Sequence, residues 1–188
     1  MRLFIAVDIP EQLLDFAARA MVRLKKTGAD VKWVAPEHMH FTLHFLGEVA
    51  AGRLDAAAGA LAAAEGMGSF ALEPAGFGFF GAPKSPRVIW LGLKRGAREL
   101  EGLRAAIGKK LDESCFETDA RPFEAHLTLG RSRGPRGMAE LSSLLSRTAD
   151  LSGAVSCAAE SVTLYKSELL PTGPCHSVLK RVSLGVDK

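Results

Sequence analysis

The chain has 188 residues, of which 47% are hydrophobic and 24% charged, and its net charge is +3. That balance excludes a disordered or collagen-like chain and suits one well-buried domain or two small lobes sharing a core. The mild basic excess permits an anionic ligand without demanding one.

The opening "LFIAV", closed by Asp8 and Pro10, reads as a buried strand, and its five apolar residues are too few for a secretory signal core. Leu13, Leu14, Ala17, Met21 and Leu24 then recur at helical spacing up to a stop at Gly28. "VKWV" and "HFTLHFL" follow as strands, with Phe41, Leu43 and Phe45 on the apolar face and His40, Thr42 and His44 on the other. A second helix is expected over Leu54, Ala57, Ala58, Leu61 and Ala64, weakened by Gly59. "SFALEPAGFGFFG" and "RVIWLGL" are strands around the turn-rich "GAPKSP". Leu100, Leu103, Ile107 and Leu111 mark a third helix, before the strand "HLTLG". A helix on Met138, Leu141, Leu145 and Thr148 and the strands "SVTLY" and "HSVLKRVSL" complete a mixed α and β pattern.

No run approaches the roughly 20 apolar residues that span a bilayer, so no membrane association is expected. Cys115, Cys157 and Cys175 show no C-x-x-C spacing, which argues against a disulfide framework or a structural zinc site and points to the cytoplasm.

The order of elements nearly repeats. His40 and His126 are 86 residues apart, and 36 residues before each lie Phe4 and Trp90, in apolar runs that lead into amphipathic helices. "GFGF" at 76–79 matches "VTLY" at 162–165 under the same offset. We therefore expect one unit over 1–188 with half-repeats near 1–85 and 86–188. A pseudo-twofold axis would bring the two histidine strands face to face across a cleft.

Each strand offers an imidazole that titrates near neutrality and a hydroxyl on the same face: His40 with Thr42, and His126 with Thr128. Two such pairs suit a tetrahedral anion attacked in line. One imidazole takes a proton from the nucleophile, the other gives one to the leaving oxygen, and the hydroxyls hold the non-bridging oxygens. Nothing in this scheme requires a metal. A single His-x-Thr on a strand is commonplace, and it is the matched second copy that favours chemistry. His40 and His44 have the i, i+4 spacing of zinc-binding helices, but the alternation is that of a strand and Phe41 stands where the glutamate belongs. His38 reads as a surface residue, and His44 as hydrogen-bonded structure on the His40 face.

At these residues the sequence resembles the two-histidine phosphoesterase superfamily, and within it the bacterial and archaeal RNA 2′,3′-cyclic phosphodiesterases, historically the 2′-5′ RNA ligase family. The likeness runs through "RLFIAVDIP", "WVAPEHMHFTLHFLGE", "PRVIWLGL", "FEAHLTLGR" and "LYKSELLPTG". It implies a bilobal, duplicated α+β fold with antiparallel sheets flanked by helices around a central cleft. It also implies metal-independent opening of an RNA 2′,3′-cyclic phosphate to a terminal 2′-phosphate, with reversible 2′-5′ joining of RNA ends. By this resemblance His126 is the proton acceptor that activates water, His40 the proton donor to the departing 3′ oxygen, and Thr42 and Thr128 the phosphate ligands. The residues alone leave the acid and base labels open. Ala125, His44 and His176 depart from the family pattern, where proline, lysine and an aromatic are usual.

Arg131 adjoins the second motif and leads into a loop with Arg133 and Arg136; of these, Arg131 is the candidate phosphate contact. Phe4, Trp33, Phe79 and Trp90 are assigned to the core. The substrate expected is RNA ending in a 2′,3′-cyclic phosphate, or a small nucleotide cyclic phosphate, handled by a monomer. Other substrates that fit the site are ADP-ribose 1″,2″-cyclic phosphate and 2′-5′ oligonucleotides. An RNA-end-binding module is the alternative of another class, and it would need neither an acid nor a base.

Overall fold

Leu3 to Val7 are buried without a break, so the first apolar run becomes an interior strand, β1 (Arg2–Asp8). Pro10 fixes the backbone ahead of α1 (Glu11–Lys25), which buries Leu13, Ala17, Met21 and Leu24 and ends before the left-handed Gly28. Then come β2 (Val31–Trp33), a 3₁₀ turn over Pro36–His38 and β3 (His40–Glu48). The expected second helix divides: α2 (Leu54–Gly59) tightens after its glycine into a 3₁₀ stretch, Ala60–Ala64. The hairpin β4 (Phe70–Ala82) and β5 (Ser85–Arg95) leads to α3 (Ala97–Glu113), β6 (His126–Ser132) and α4 (Met138–Arg147). A three-residue strand, β7 (Cys157–Ala159), which the sequence pattern did not announce, precedes the hairpin β8 (Ser161–Leu170) and β9 (Gly173–Ser183). This computed structural model describes residues 1–82, 85–119, 121–147, 155–171 and 173–185; Thr148, expected at the end of the fourth helix, lies outside them.

Two antiparallel sheets result, ordered β3-β1-β8-β9 and β2-β6-β5-β4-β7. Neither is built from one half of the chain. β8, from the second half, joins β1 and β3, and β4, from the first half, joins β5 and β6. The helices follow the same exchange, since α3 packs on β3 and the 3₁₀ stretch 60–64, while α4 packs on β4 and β5. The lobes thus interlock, and the histidine strands β3 and β6 come together where the sheets meet.

The register refines the internal repeat. On β3, Thr42 lies opposite Ala6 and His44 opposite Ile5, so Leu43 is an extra residue in a bulge. On β6, Thr128 lies opposite Trp90 and Gly130 opposite Ile89, so Leu129 is the extra residue. The same position of each motif is bulged. The neighbouring strand slips, however: His40 faces Asp8, whereas His126 faces Gly92, 84 residues further on (92 − 8). The counterpart of Phe4 is therefore Val88 and that of Ala6 is Trp90, one pleat away from the 86-residue match.

Candidate active site

Alternation along β3 and β6 buries Phe41, Leu43, Leu127 and Leu129 completely or nearly so and leaves His40, Thr42, His126 and Thr128 half-buried on the opposite face. Among the described residues neither threonine hydroxyl makes a hydrogen bond, so both donors remain available. The bulge then reverses the pattern. His44 is 5% exposed, and its Nε2 lies 2.7 Å from the Arg104 carbonyl of α3. It therefore does not share the face of His40. Its ring sits against Gly108, in a polar groove lined by Arg104, Lys109 and Asp112 on the other side of the sheet. Phe45, expected in the core, is 51% exposed for the same reason, and Arg2 lies over its ring.

Arg131 is the counterpart of Phe45, two residues past the bulged Leu129. It is exposed, pairs in register with Val88 and Lys32, and its charge depresses the His126 imidazolium. The structure thus brings Arg131 to the His126 side. Arg133 and Arg136 serve the loop backbone: the Arg133 amide donates to the Asp30 carbonyl and the Asp30 amide to the Arg136 carbonyl.

His126 is held by a 2.7 Å hydrogen bond from Nδ1 to the Glu124 carbonyl. A carbonyl only accepts, so Nδ1 carries the proton and Nε2 presents its lone pair. Burial pushes the His126 pKa below its ordinary value, with the Glu124 carbonyl and carboxylate opposing and Arg131 assisting. The Phe80 ring meets His126 edge-on at 4.8 Å, and Trp90 lies 6.2 Å away.

His40 stacks on Phe4 at 4.7 Å, and His176 crosses both rings, 4.9 Å from Phe4 and 5.6 Å from His40. His38 is not a surface residue: its ring packs 4.9 Å from His176. Burial, with His176 assisting, lowers the His40 pKa to about 4, while the His38 carbonyl and Asp8 oppose the fall. Phe4 and Trp90, read from sequence as core, line the two histidines as well.

The residue that the sequence reading missed is Asp8. Its carboxylate accepts hydrogen bonds from Ser161 Oγ and Thr163 Oγ1, both at 2.8 Å, and from the Tyr165 hydroxyl, and it pairs with Arg181 Nε at 3.0 Å. The clue was faint: serine, threonine and tyrosine alternate in "SVTLY", but nothing local points them at residue 8. Among the described residues no cluster of three or more histidine, cysteine or acidic side chains is placed to hold a metal ion.

Two antiparallel lobes with a bulged His-x-Thr strand in each define a duplicated, two-histidine phosphoesterase architecture, and comparison with known proteins agrees. The sequence profile of the LigT-like phosphoesterases matches twice, over residues 5–90 and 91–176, and the chain belongs to that family. The two matches are offset by the same 86 residues as the motifs (91 − 5). A Methanothermobacter thermautotrophicus RNA 2′,3′-cyclic phosphodiesterase is 33% identical over 94% of this chain and 95% of its own. A protein of the same name from Thermotoga maritima is 34% identical over 95% and 93%. Among solved structures, a Thermus thermophilus protein superposes with a TM-score of 0.79 at 28% identity, covering all of both chains. E. coli LigT complexed with 3′-AMP superposes at 0.73 with 27% identity over 97% of each.

Proposed function

We propose that this protein hydrolyses RNA 2′,3′-cyclic phosphate ends to 2′-phosphate ends without a metal, using His126 and His40 as the acid–base pair. The observation that carries the reading is the doubled, identically bulged His-x-Thr strand, which turns an imidazole and an uncommitted hydroxyl to the same face in each lobe. Water attacks phosphorus as His126 Nε2 takes its proton, the P–O3′ bond breaks, and His40 protonates the leaving 3′ oxygen. Thr42 and Thr128 hold the non-bridging oxygens, and Arg131 adds a cation on the His126 side. With an RNA 5′-hydroxyl in place of water, the same arrangement forms a 2′-5′ linkage. The names of the relatives support the cyclic phosphate as substrate. A second reading, a small nucleotide cyclic phosphate, is favoured by the 3′-AMP held by E. coli LigT. In either case we place the enzyme in the cytoplasm as a monomer.

The test is an assay in EDTA on a short RNA ending in 2′,3′-cyclic phosphate, with the product's phosphate located. A 2′-phosphate supports the proposal. A 3′-phosphate overturns the leaving group, and turnover restricted to mononucleotides selects the second reading.

A further inference from the structure

The two halves of the site match at the histidines and differ behind them. In register with His40 stands Asp8, and in register with His126 stands Gly92. Ala6 and Thr163 lie side by side in the first sheet, where Trp90 and Gly78 lie in the second. A Cβ on Gly78 would fall 2.3 Å from the Trp90 ring and one on Gly92 3.0 Å from it, so the indole occupies the space that a larger residue would need. One histidine is therefore backed by a carboxylate gathered by Ser161, Thr163, Tyr165 and Arg181, and the other by an indole lying over two glycines. A carboxylate stabilises an imidazolium, and an apolar ring favours the neutral base.

We propose that this asymmetry sets the direction of proton flow, with Asp8 as a positioning residue that acts on His40 through its charge and supports it as the proton donor. The inference rests on the cyclic phosphodiesterase reading above and explains which of two near-equivalent imidazoles plays which part. Tyr165 links the two groups, because its ring stacks 5.0 Å from Phe4, itself stacked on His40, while its hydroxyl donates to Asp8. The groups facing His40 are Asp8 from β1, His38 from the turn before β3, Tyr165 from β8 and His176 from β9, with Arg181 of β9 paired to Asp8. In the empty cleft burial and His176 outweigh Asp8 and hold His40 neutral at neutral pH, and Arg181 offsets part of the Asp8 charge. A phosphate anion in the cleft adds a second negative charge beside His40, and only with it does the Asp8 charge suffice to load the proton. His126 instead has Arg131 nearby, whose charge works against protonation.

The experiment follows the histidine ring protons by NMR across pH in the full chain, with and without adenosine 2′-phosphate. Asp8→Asn keeps the shape and an acceptor but removes the charge. It should lower the His40 midpoint, leave the His126 midpoint in place, and reduce kcat on the cyclic phosphate about 10- to 100-fold, a share of what a lost general acid costs. Tyr165→Phe removes one donor from the carboxylate and should move the His40 midpoint upward. A merely structural role would not move the midpoint in opposite directions. An unchanged His40 midpoint in Asp8→Asn, or an equal displacement of His126, overturns the proposal. If Asp8→Asn does not fold, the direction of the Tyr165→Phe displacement decides alone. Wild-type protein that never turns over a cyclic phosphate, yet shows the midpoints moving as stated, refutes the substrate reading and leaves the Asp8–His40 coupling standing.

Discussion

Gly78→Ala is the smallest change that should disturb one wall of the proposed site. The added carbon falls 2.3 Å from two atoms of the Trp90 indole and 2.7 Å from a third. Ordinary carbon contacts lie at about 3.5–4.0 Å, so the ring must move by more than about 1 Å. It has little freedom to do so, because Phe80 packs 5.4 Å from it and His126 lies beyond. Overpacking of this kind costs about 1–3 kcal/mol. Relief of the glycine's own backbone entropy returns about 0.5–1 kcal/mol. The net loss of up to about 2.5 kcal/mol lowers Tm by up to about 10 °C in a chain of this size. Thermal melts, indole emission and kcat on the cyclic phosphate would be measured together. All three should change, and the stability cost should vanish when Gly78→Ala is made in a Trp90→Phe background. A variant with native Tm and unaltered emission would refute the packing argument, and native kcat despite a displaced indole would refute its role behind His126.

His40→Ala and His126→Ala should each cut turnover by about 10²- to 10⁴-fold while the fold is retained. His44→Ala should do the opposite, losing about 1–3 kcal/mol with its bond to the Arg104 carbonyl while turnover stays within a few fold; the reversed pattern would overturn the bulge assignment. Thr42→Ala and Thr128→Ala should each lower kcat/KM by about 10- to 100-fold, the worth of a hydrogen bond to a charged group, and a double variant with native kinetics would contradict phosphate binding. A histidine held near pKa 4 when folded and 6.5 when unfolded leaves the unfolded chain binding more protons between those values, so its neutral burial adds stability above pH 6.5 that is lost as pH falls toward 4. At about 1.4 kcal/mol per pH unit this is about 3 kcal/mol from His40. Urea melts at pH 7 and pH 4.5 should differ less for His40→Asn than for wild type, and an equal difference would refute the assignment.

Much of the fold was legible because its signals are local. The helical spacing of Leu13, Ala17, Met21 and Leu24 and the alternation in "HFTL" and "HLTL" each reflect one element burying one face. Where they failed, the cause lay in a neighbouring strand. Alternation assigns His44 to the face of His40 and Phe45 to the core, and both assignments are reversed by one extra residue at Leu43. Nothing in "HFTLHFL" marks that residue, because a bulge is a relation between two strands. Phe4 and Trp90 match by count and not by register for the same reason.

By itself the sequence determined the two His-x-Thr pairs, their placement on strands and the duplicated order of elements. Those features depend on residue type and on spacing within one segment. Tertiary structure alone decided that the lobes exchange strands, that His44 turns inward to α3, and that Asp8 collects Ser161, Thr163, Tyr165 and Arg181 behind one histidine while an indole fills the same place behind the other. These depend on which strands pair and in what register, and contacts between residues more than 150 positions apart leave no periodic trace in the chain.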